Sequence, residues 1–364
     1  MLTAEGCRQR RLRLWQELDP KPDSDHIRLA DPIHLIYLAN FFVDPFSLGG
    51  GFGGYLLLRK DGHATLIHDN RMPASVEQAH VDSRRVVAWY DGQSPAHGPR
   101  QLAPLERVNP DGTGLRIHDR VGDPYAAILI NTIAAMRRRK DPDEIEVLRQ
   151  CMRATEAGHA WARAHIKPGM TELDVYCGVN SACIQEAGHA VIVYGDFAVS
   201  PGPERRGGPP TERVLEPGDM FILDYSVVIA GYRSDFTNTL VVGKEANAFQ
   251  NRMYNLCTQA MAAGEEQLRA GAACLAVYQA VHRVFEDAGV AEYFPHHAGH
   301  GLGLSHPENP YLVRNATETL VAGDVVTLEP GLYIPGQGGI RIENNYLITE
   351  QAYEQLSKHT IALK

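Results

Sequence analysis

What most constrains this chain is the placing of five acid and imidazole side chains in its second half. Asp224 closes the apolar run Phe221-Ile-Leu223, and Asp235 follows eleven residues later, after the turn residue Gly231. His300 lies between Gly299 and Gly301, Glu329 in Thr327-Leu-Glu329-Pro330, and Glu343 in Arg341-Ile-Glu343. An ionised carboxylate at the end of an apolar strand is costly to bury unless it is paired or metal-bound. A hairpin through Gly231 can return Asp235 to Asp224, and on an extended segment Arg341 and Glu343 face the same way. The plainer readings are turn or cap aspartates and a metal-free Arg341–Glu343 neighbour pair. Together, two Asp, one His and two Glu suit Mn²⁺ foremost, then Co²⁺, Fe²⁺ or Zn²⁺. Four carboxylates are too many for one catalytic zinc. They fit two divalent ions about 3.5–4 Å apart, sharing bridging carboxylates and a bridging hydroxide, as amide hydrolysis requires.

The 364 residues are enough for two domains of ~100–200 residues each. Hydrophobic residues at 44% and charged residues at 22% are an ordinary globular composition. A net charge of −9 disfavours nucleic acid or an anionic membrane surface as partner. The charged opening MLTAEGCRQRRLRL does not read as a secretory leader. No stretch approaches the ~18 uninterrupted apolar residues of a membrane span. A soluble, cytoplasmic protein is expected. The six cysteines include no C-x-x-C pair and are expected to be reduced, buried thiols.

The fold class expected is α/β (α+β). Up to about residue 135, strand-like and helix-like segments alternate. They include the apolar run His34–Phe42, a hairpin of Gly54–Lys60 and His63–His68 about Asp61-Gly62, and a short strand Arg85–Tyr90. A boundary falls in Arg137–Glu144, where Asp141 reads as a helix N-cap, Pro142 suits the first turn and Glu144 completes a capping box. A helix to His165 and a second from Thr171 to Gly188 follow, then a strand Val191–Tyr194 and a glycine- and proline-rich loop, 201–210. Next come a strand pair between Met220 and Leu240, helices near 245–270 and 272–287, and a strand-rich end from Phe294. The order helix, helix, strands occurs twice, which hints at an internal duplication.

The succession Asp224, Asp235, Gly299-His-Gly-Leu-Gly303, Leu328-Glu-Pro-Gly331 and Arg341-Ile-Glu-Asn344 resembles the metallopeptidase family of methionine aminopeptidase, prolidase and proline aminopeptidase. That family has the pita-bread fold. The phrases Lys140-Asp-Pro-Asp-Glu-Ile145 and Lys167-Pro-Gly-Met-Thr-Glu172 look like it too, so the resemblance runs over almost the whole chain. It implies a smaller creatinase/prolidase-type N-terminal domain over 1–138, a pita-bread catalytic domain over 139–364 and a homodimer. It implies that Asp224 holds one metal, that Asp235 and Glu343 bridge, and that His300 and Glu329 hold the other. Glu329 would also be the general base. His296 matches a substrate-facing histidine of the prolidase branch, and Arg341 an arginine which that branch keeps near the site. The implied activity is that of an Xaa-Pro dipeptidase or aminopeptidase, acting on a small peptide. The front domain argues against a plain methionine aminopeptidase.

Two phrases depart from the family pattern. The loop Glu204-Arg-Arg-Gly-Gly-Pro-Pro-Thr211 lacks the histidine usual before the first metal aspartate. After His300, Pro307 stands where a second histidine is usual, and His306 comes one residue early. Such a shift turns a side chain to the opposite face of an extended segment, although a proline-constrained loop can still bring it to the site. The usual histidines steady the tetrahedral intermediate, and losing one such donor costs ~10²–10³-fold in rate. Arg205 or Arg206 can substitute by binding a substrate carboxylate, or both can be solvated surface charges. The departures keep open a hydrolase or lyase for a small non-peptide, amide-like compound, resembling ectoine hydrolase. A non-catalytic binding relative is the third reading, but none of the five ligand positions is lost.

Overall fold

An Asp-Gly turn and a helix-forming apolar run shape the front of the chain. The computed structural model describes residues 1–43, 45, 54–71, 73–96, 98, 116–200 and 207–364, so Arg205 and Arg206 lie outside the described residues. The described residues divide into two compact units: Met1–Arg137 with Asp141–Glu144, and Arg138–Lys140 with Ile145–Lys364.

In the first unit, helices α1 (Ala4–Glu17), α2 (Pro32–Ala39) and α3 (Pro73–Gln78) accompany strands β1 (His26–Leu29), β2 (Gly54–Arg59), β3 (Ala64–Asp69) and β4 (Ser83–Val87). The strands pair in the order β1-β2-β3-β4, antiparallel except for the parallel pair β3–β4. Gly62 takes the φ of 83° that the β2–β3 turn needs. The apolar run from His34 becomes helix α2 because Asp31 accepts from the Ile33 N–H, Pro32 opens the first turn and Asn40, at φ 52°, stops it. At the boundary only half the expected capping box forms. Glu144 accepts from the Asp141 N–H at 2.9 Å, but the Asp141 carboxylate is taken by Arg13 at 2.9 Å and the buried Arg10 at 3.1 Å. A charged donor outcompetes the backbone amide for that carboxylate.

Helix α4 (Ala126–Arg138) leads to α5 (Pro142–His165) and α6 (Glu172–Ala187). Thr171 and Asp174 cap α6 reciprocally, and Gly188, at φ 73°, ends it. Strands β5 (Ile192–Ser200), β6 (Met220–Ile229), β7 (Tyr232–Arg233) and β8 (Phe236–Val241) form one sheet. β5 is twice as long as its apolar stretch suggests, pairing with β6 from Ile192↔Val228 to Ser200↔Met220. Ala230 and Gly231, both at positive φ (50° and 86°), make the two-residue β6–β7 turn.

Helices α7 (Ala248–Glu265) and α8 (Cys274–Asp287) come next, followed by β9 (Gly299–Gly301), β10 (Glu308–Leu312), β11 (Val325–Leu328), β12 (Gly331–Ile334), β13 (Gly338–Arg341), β14 (Asn344–Ile348) and β15 (Tyr353–Gln355). The sheet order is β10-β9-β11-β14-β15, with β12–β13 a separate hairpin. Helix α8 buries Cys274, Val277, Tyr278, Val281 and Phe285, one apolar stripe, in a core shared with Leu328, Leu332, Ile340 and Ile342. The backbone beside those strand residues carries Glu329, Arg341 and Glu343, so the core fixes the site from behind. All six cysteines are free; five are buried, and Cys177 on α6 is exposed. Among the described residues no helix is long and apolar enough to cross a membrane.

Candidate metal centre

Cross-strand register assembles the first wall of the site. Asp224 on β6 stands opposite Asp196 on β5 and Thr237 on β8, so the three side chains share one face. The hairpin return brings Asp235 beside Ser226, whose Oγ is 3.4 Å from Asp235 Oδ1. Asn345 clamps the Asp235 backbone: its Oδ1 accepts from the Asp235 N–H at 3.2 Å, and its Nδ2 donates to the Asp235 carbonyl.

The second wall carries the imidazole and the glutamates. His300 Nδ1 is 2.9 Å from the Gly301 carbonyl. A carbonyl only accepts, so Nδ1 holds the proton and the Nε2 lone pair faces Asp235 Oδ2 and Glu329 Oε1, each 3.5 Å away. Gly299 and Gly301 are required by close approach, not by turning. A Cβ on Gly299 would meet the Thr327 carbonyl oxygen at 2.1 Å, and one on Gly301 the Asn309 carbonyl oxygen at 2.2 Å. Thr327 Oγ1 donates to Glu329 Oε1 at 3.0 Å, and Thr237 Oγ1 to Glu343 Oε2 at 2.7 Å.

All five of the sequence's ligand candidates thus converge. Asp224, Asp235 and Glu343 offer oxygens within 4.8 Å of one another, and so do the donors of Asp235, His300 and His306. His306 reaches the cluster despite its shift, its Nε2 2.6 Å from Asp235 Oδ2. Glu308 Oε2 accepts from the Ser305 N–H at 3.2 Å and Oε1 from Lys140 Nζ at 2.7 Å, which fixes this loop. Arg341 Nη2 donates to Asp224 and, at 2.6 Å, to Asp196; its Nη1 donates to the Tyr333 hydroxyl at 2.7 Å. The Tyr333 O–H then faces His296 Nε2 at 3.1 Å, and His296 Nδ1 donates to the His297 carbonyl at 2.8 Å. His296 lines the cavity, but both of its nitrogens are committed within the protein. The cavity, of about 300 Å³, is lined by Tyr194, Asp196, Asp224, Asp235, the four histidines 296, 297, 300 and 306, Glu329 and Arg341.

The charges demand a cation. Burial, with Asp235, Glu329 and Asp224 nearby, pushes Glu343 well above the usual carboxylate range. Burial lifts Asp224 to about 7, against the pull of Arg341. Burial also opposes ionisation of Glu329, but the imidazoles of His297, His300 and His296 outweigh it and hold that carboxyl low. Burial brings His296 down to about 4. For His297 and His306 burial acts downward, and Glu329 and Asp235 respectively reverse it. Glu343 Oε1 is buried with no hydrogen-bond partner among the described residues. Like charges this close ionise together only when a cation joins them, so the donor set fits divalent ions.

Asp196, His297, Tyr333, Asn345 and the two threonines were not among the sequence's candidates. The Thr327-x-Glu329 spacing was the one visible signal, because residues two apart on a strand share a face.

The model of metallopeptidase family M24 matches residues 146–350. The chain belongs to metallopeptidase family M24. It is 30% identical over 346 residues to an uncharacterized peptidase of Staphylococcus aureus (strain bovine RF122 / ET3-1), covering 92% of this chain and 95% of that protein. It is 32% identical over 278 residues to the probable dipeptidase PepE of Mycobacterium tuberculosis (strain ATCC 25618 / H37Rv), covering 73% and 72%. Among solved structures, dipeptidase PepE from Mycobacterium ulcerans matches with TM-score 0.77 and 25% identity over 99% of this chain and 98% of that one. The Xaa-Pro dipeptidase from Bacillus anthracis has the same fold, with TM-score 0.76 and 24% identity over 99% of each chain. The chain has the pita-bread fold and is a hydrolytic peptidase of a metal-dependent family.

Proposed function

We propose that this M24 chain is a dinuclear metal-dependent Xaa-Pro dipeptidase or aminopeptidase. The observation that carries the proposal is four carboxylates and one imidazole meeting in one cavity, one carboxylate oxygen among them buried with no hydrogen-bond partner among the described residues. Asp224, Asp235, His300, Glu329 and Glu343 would hold two ions drawn from Mn²⁺, Co²⁺, Fe²⁺ and Zn²⁺. When bound, the pair lowers the pKa of water and polarises the scissile carbonyl. Glu329, ionised in spite of its burial, accepts the proton of the attacking water. Arg341, anchored on Asp196 and Tyr333, keeps a positive charge beside the reacting carbonyl. His296 contacts substrate only once the Tyr333 hydroxyl leaves its Nε2. His306 reaches the site, its Nε2 2.6 Å from Asp235 Oδ2. Reading a substrate carboxylate falls to Arg205 and Arg206.

A cavity of about 300 Å³ suits a dipeptide or a short peptide end. The titles of the similar structures, an Xaa-Pro dipeptidase and a dipeptidase, support the substrate class. In this reading residues 1–138 are the prolidase-type N-terminal domain and 139–364 the catalytic domain, in a cytoplasmic homodimer. The test is to chelate the purified chain and reload it with each of the four metals. Xaa-Pro dipeptides, longer Xaa-Pro peptides and small non-peptide amides are then the substrates. Metal-restored cleavage before proline is expected. Bound metal with cleavage of small amides alone would overturn the peptidase specificity in favour of the ectoine-hydrolase-like reading.

A further inference from the structure

Two imidazole nitrogens, not one, face the Asp235 carboxylate. His300 Nε2 lies 3.5 Å from Asp235 Oδ2 and 3.5 Å from Glu329 Oε1. Each of those oxygens has a second imidazole on it: His306 Nε2 at 2.6 Å from Asp235 Oδ2, and His297 Nδ1 at 3.3 Å from Glu329 Oε1. The His300 ring centroid is 5.0 Å from that of His306 and 5.3 Å from that of His297. His297 Nδ1, 3.3 Å from Glu329 Oε1, falls in a separate group with His296 and Glu329. His296 differs, because the His297 carbonyl and the Tyr333 hydroxyl occupy both of its nitrogens. On the other side of Asp235, the group Asp224, Asp235 and Glu343 offers oxygen alone.

We infer that His306 joins His300 and Asp235 as a ligand of one cation, making a position with two nitrogens beside an all-oxygen one. His306 is not among the five ligands described above. Imidazole suits Zn²⁺ and Co²⁺, whereas carboxylate-only sites suit Mn²⁺. The nitrogen-rich position therefore prefers Zn²⁺ or Co²⁺ over Mn²⁺ by more than an all-carboxylate site would. A ring nitrogen that now donates to Asp235 releases its proton to solvent when it binds the ion.

The inference rests on the proposed dinuclear reading, and metal binding separates the two. Zn²⁺ and Mn²⁺ affinities of the metal-stripped full chain are measured by competition with a chromogenic chelator, for wild type, His306→Ala and His306→Gln. Far-UV circular dichroism and a thermal melt report folding of each variant. Cu²⁺ electron paramagnetic resonance of the wild type, read from its nitrogen hyperfine pattern, gives the ligand count without any variant. Expected are Zn²⁺ binding at least tenfold weaker in His306→Ala, Mn²⁺ binding at the all-oxygen position within twofold, and more than one coupled nitrogen in the copper spectrum. Two Zn²⁺ per chain with unchanged affinity in folded variants, or a single coupled nitrogen, would overturn this inference and leave the dinuclear reading standing. No bound metal in wild type would overturn both.

Discussion

Each glutamate of the cluster has a threonine of its own, Thr237 on Glu343 and Thr327 on Glu329. Hydrogen bonds of this kind orient ligands, and their loss typically costs ~10–100-fold in metal affinity. Thr237→Val should therefore weaken metal binding by about that much in a chelator competition, with the fold intact; unchanged affinity would show that Glu343 is held by its backbone alone. Asp235→Asn and Glu343→Gln should abolish both metal binding and turnover, measured by metal analysis of the dialysed protein and by peptide cleavage. Wild-type turnover in either variant would contradict the shared site. The carboxylates of the cluster were legible in sequence because buried carboxylates in apolar strands need a reason. Asn345 and Tyr333 were not, because an amide that clamps a distant backbone, or a phenol in an arginine-to-histidine chain, leaves no local pattern.

At the scale of elements, the β6–β8 return and the Gly-His-Gly strand decide where the ligands stand. Gly299 and Gly301 read in sequence as loop glycines. Instead they let β9 lie against the carbonyls of Thr327 and Asn309 in a sheet interior. Backbone there cannot give way as a side chain can, so Gly301→Ala should cost roughly 1–3 kcal/mol of stability and displace His300. A thermal melt and the metal content check this, and an unshifted melt would mean that the strand has room. Strand β5 extended further than its apolar run because Gly195 and Asp196 interrupt the hydrophobic pattern without interrupting the pairing to β6. Pairing register depends on the partner strand, which a local pattern does not contain.

Across the whole molecule, the fold behind the site depends on neutral histidines. His159 stacks between Tyr225 and Phe236 at 5.0 and 5.2 Å, and its Nε2 lies 3.2 Å from the Phe236 carbonyl. His359 reaches the Thr237 carbonyl at 3.1 Å. Burial holds His159 well below its ordinary value and brings His359 from 6.5 to about 4. Between those values the unfolded chain binds the proton and the folded chain does not. The stability from a neutral His359 is therefore complete above pH 6.5 and falls by up to ~3 kcal/mol as the pH drops toward 4. The stability gap between wild type and His359→Gln, from urea midpoints at pH 7 and pH 4.5, should shrink toward low pH; a constant gap would contradict a buried neutral ring. The family and the pita-bread fold were legible from five spaced residues, since their order along the chain is unusual. The two histidine departures left the substrate side open, and Arg205 and Arg206 lie outside the described residues. The most direct measurement is the number of divalent ions per chain, by equilibrium dialysis and mass-spectrometric metal analysis of wild type and Asp235→Asn. Two ions in wild type and neither in Asp235→Asn are expected; one ion or none in wild type would contradict the dinuclear centre.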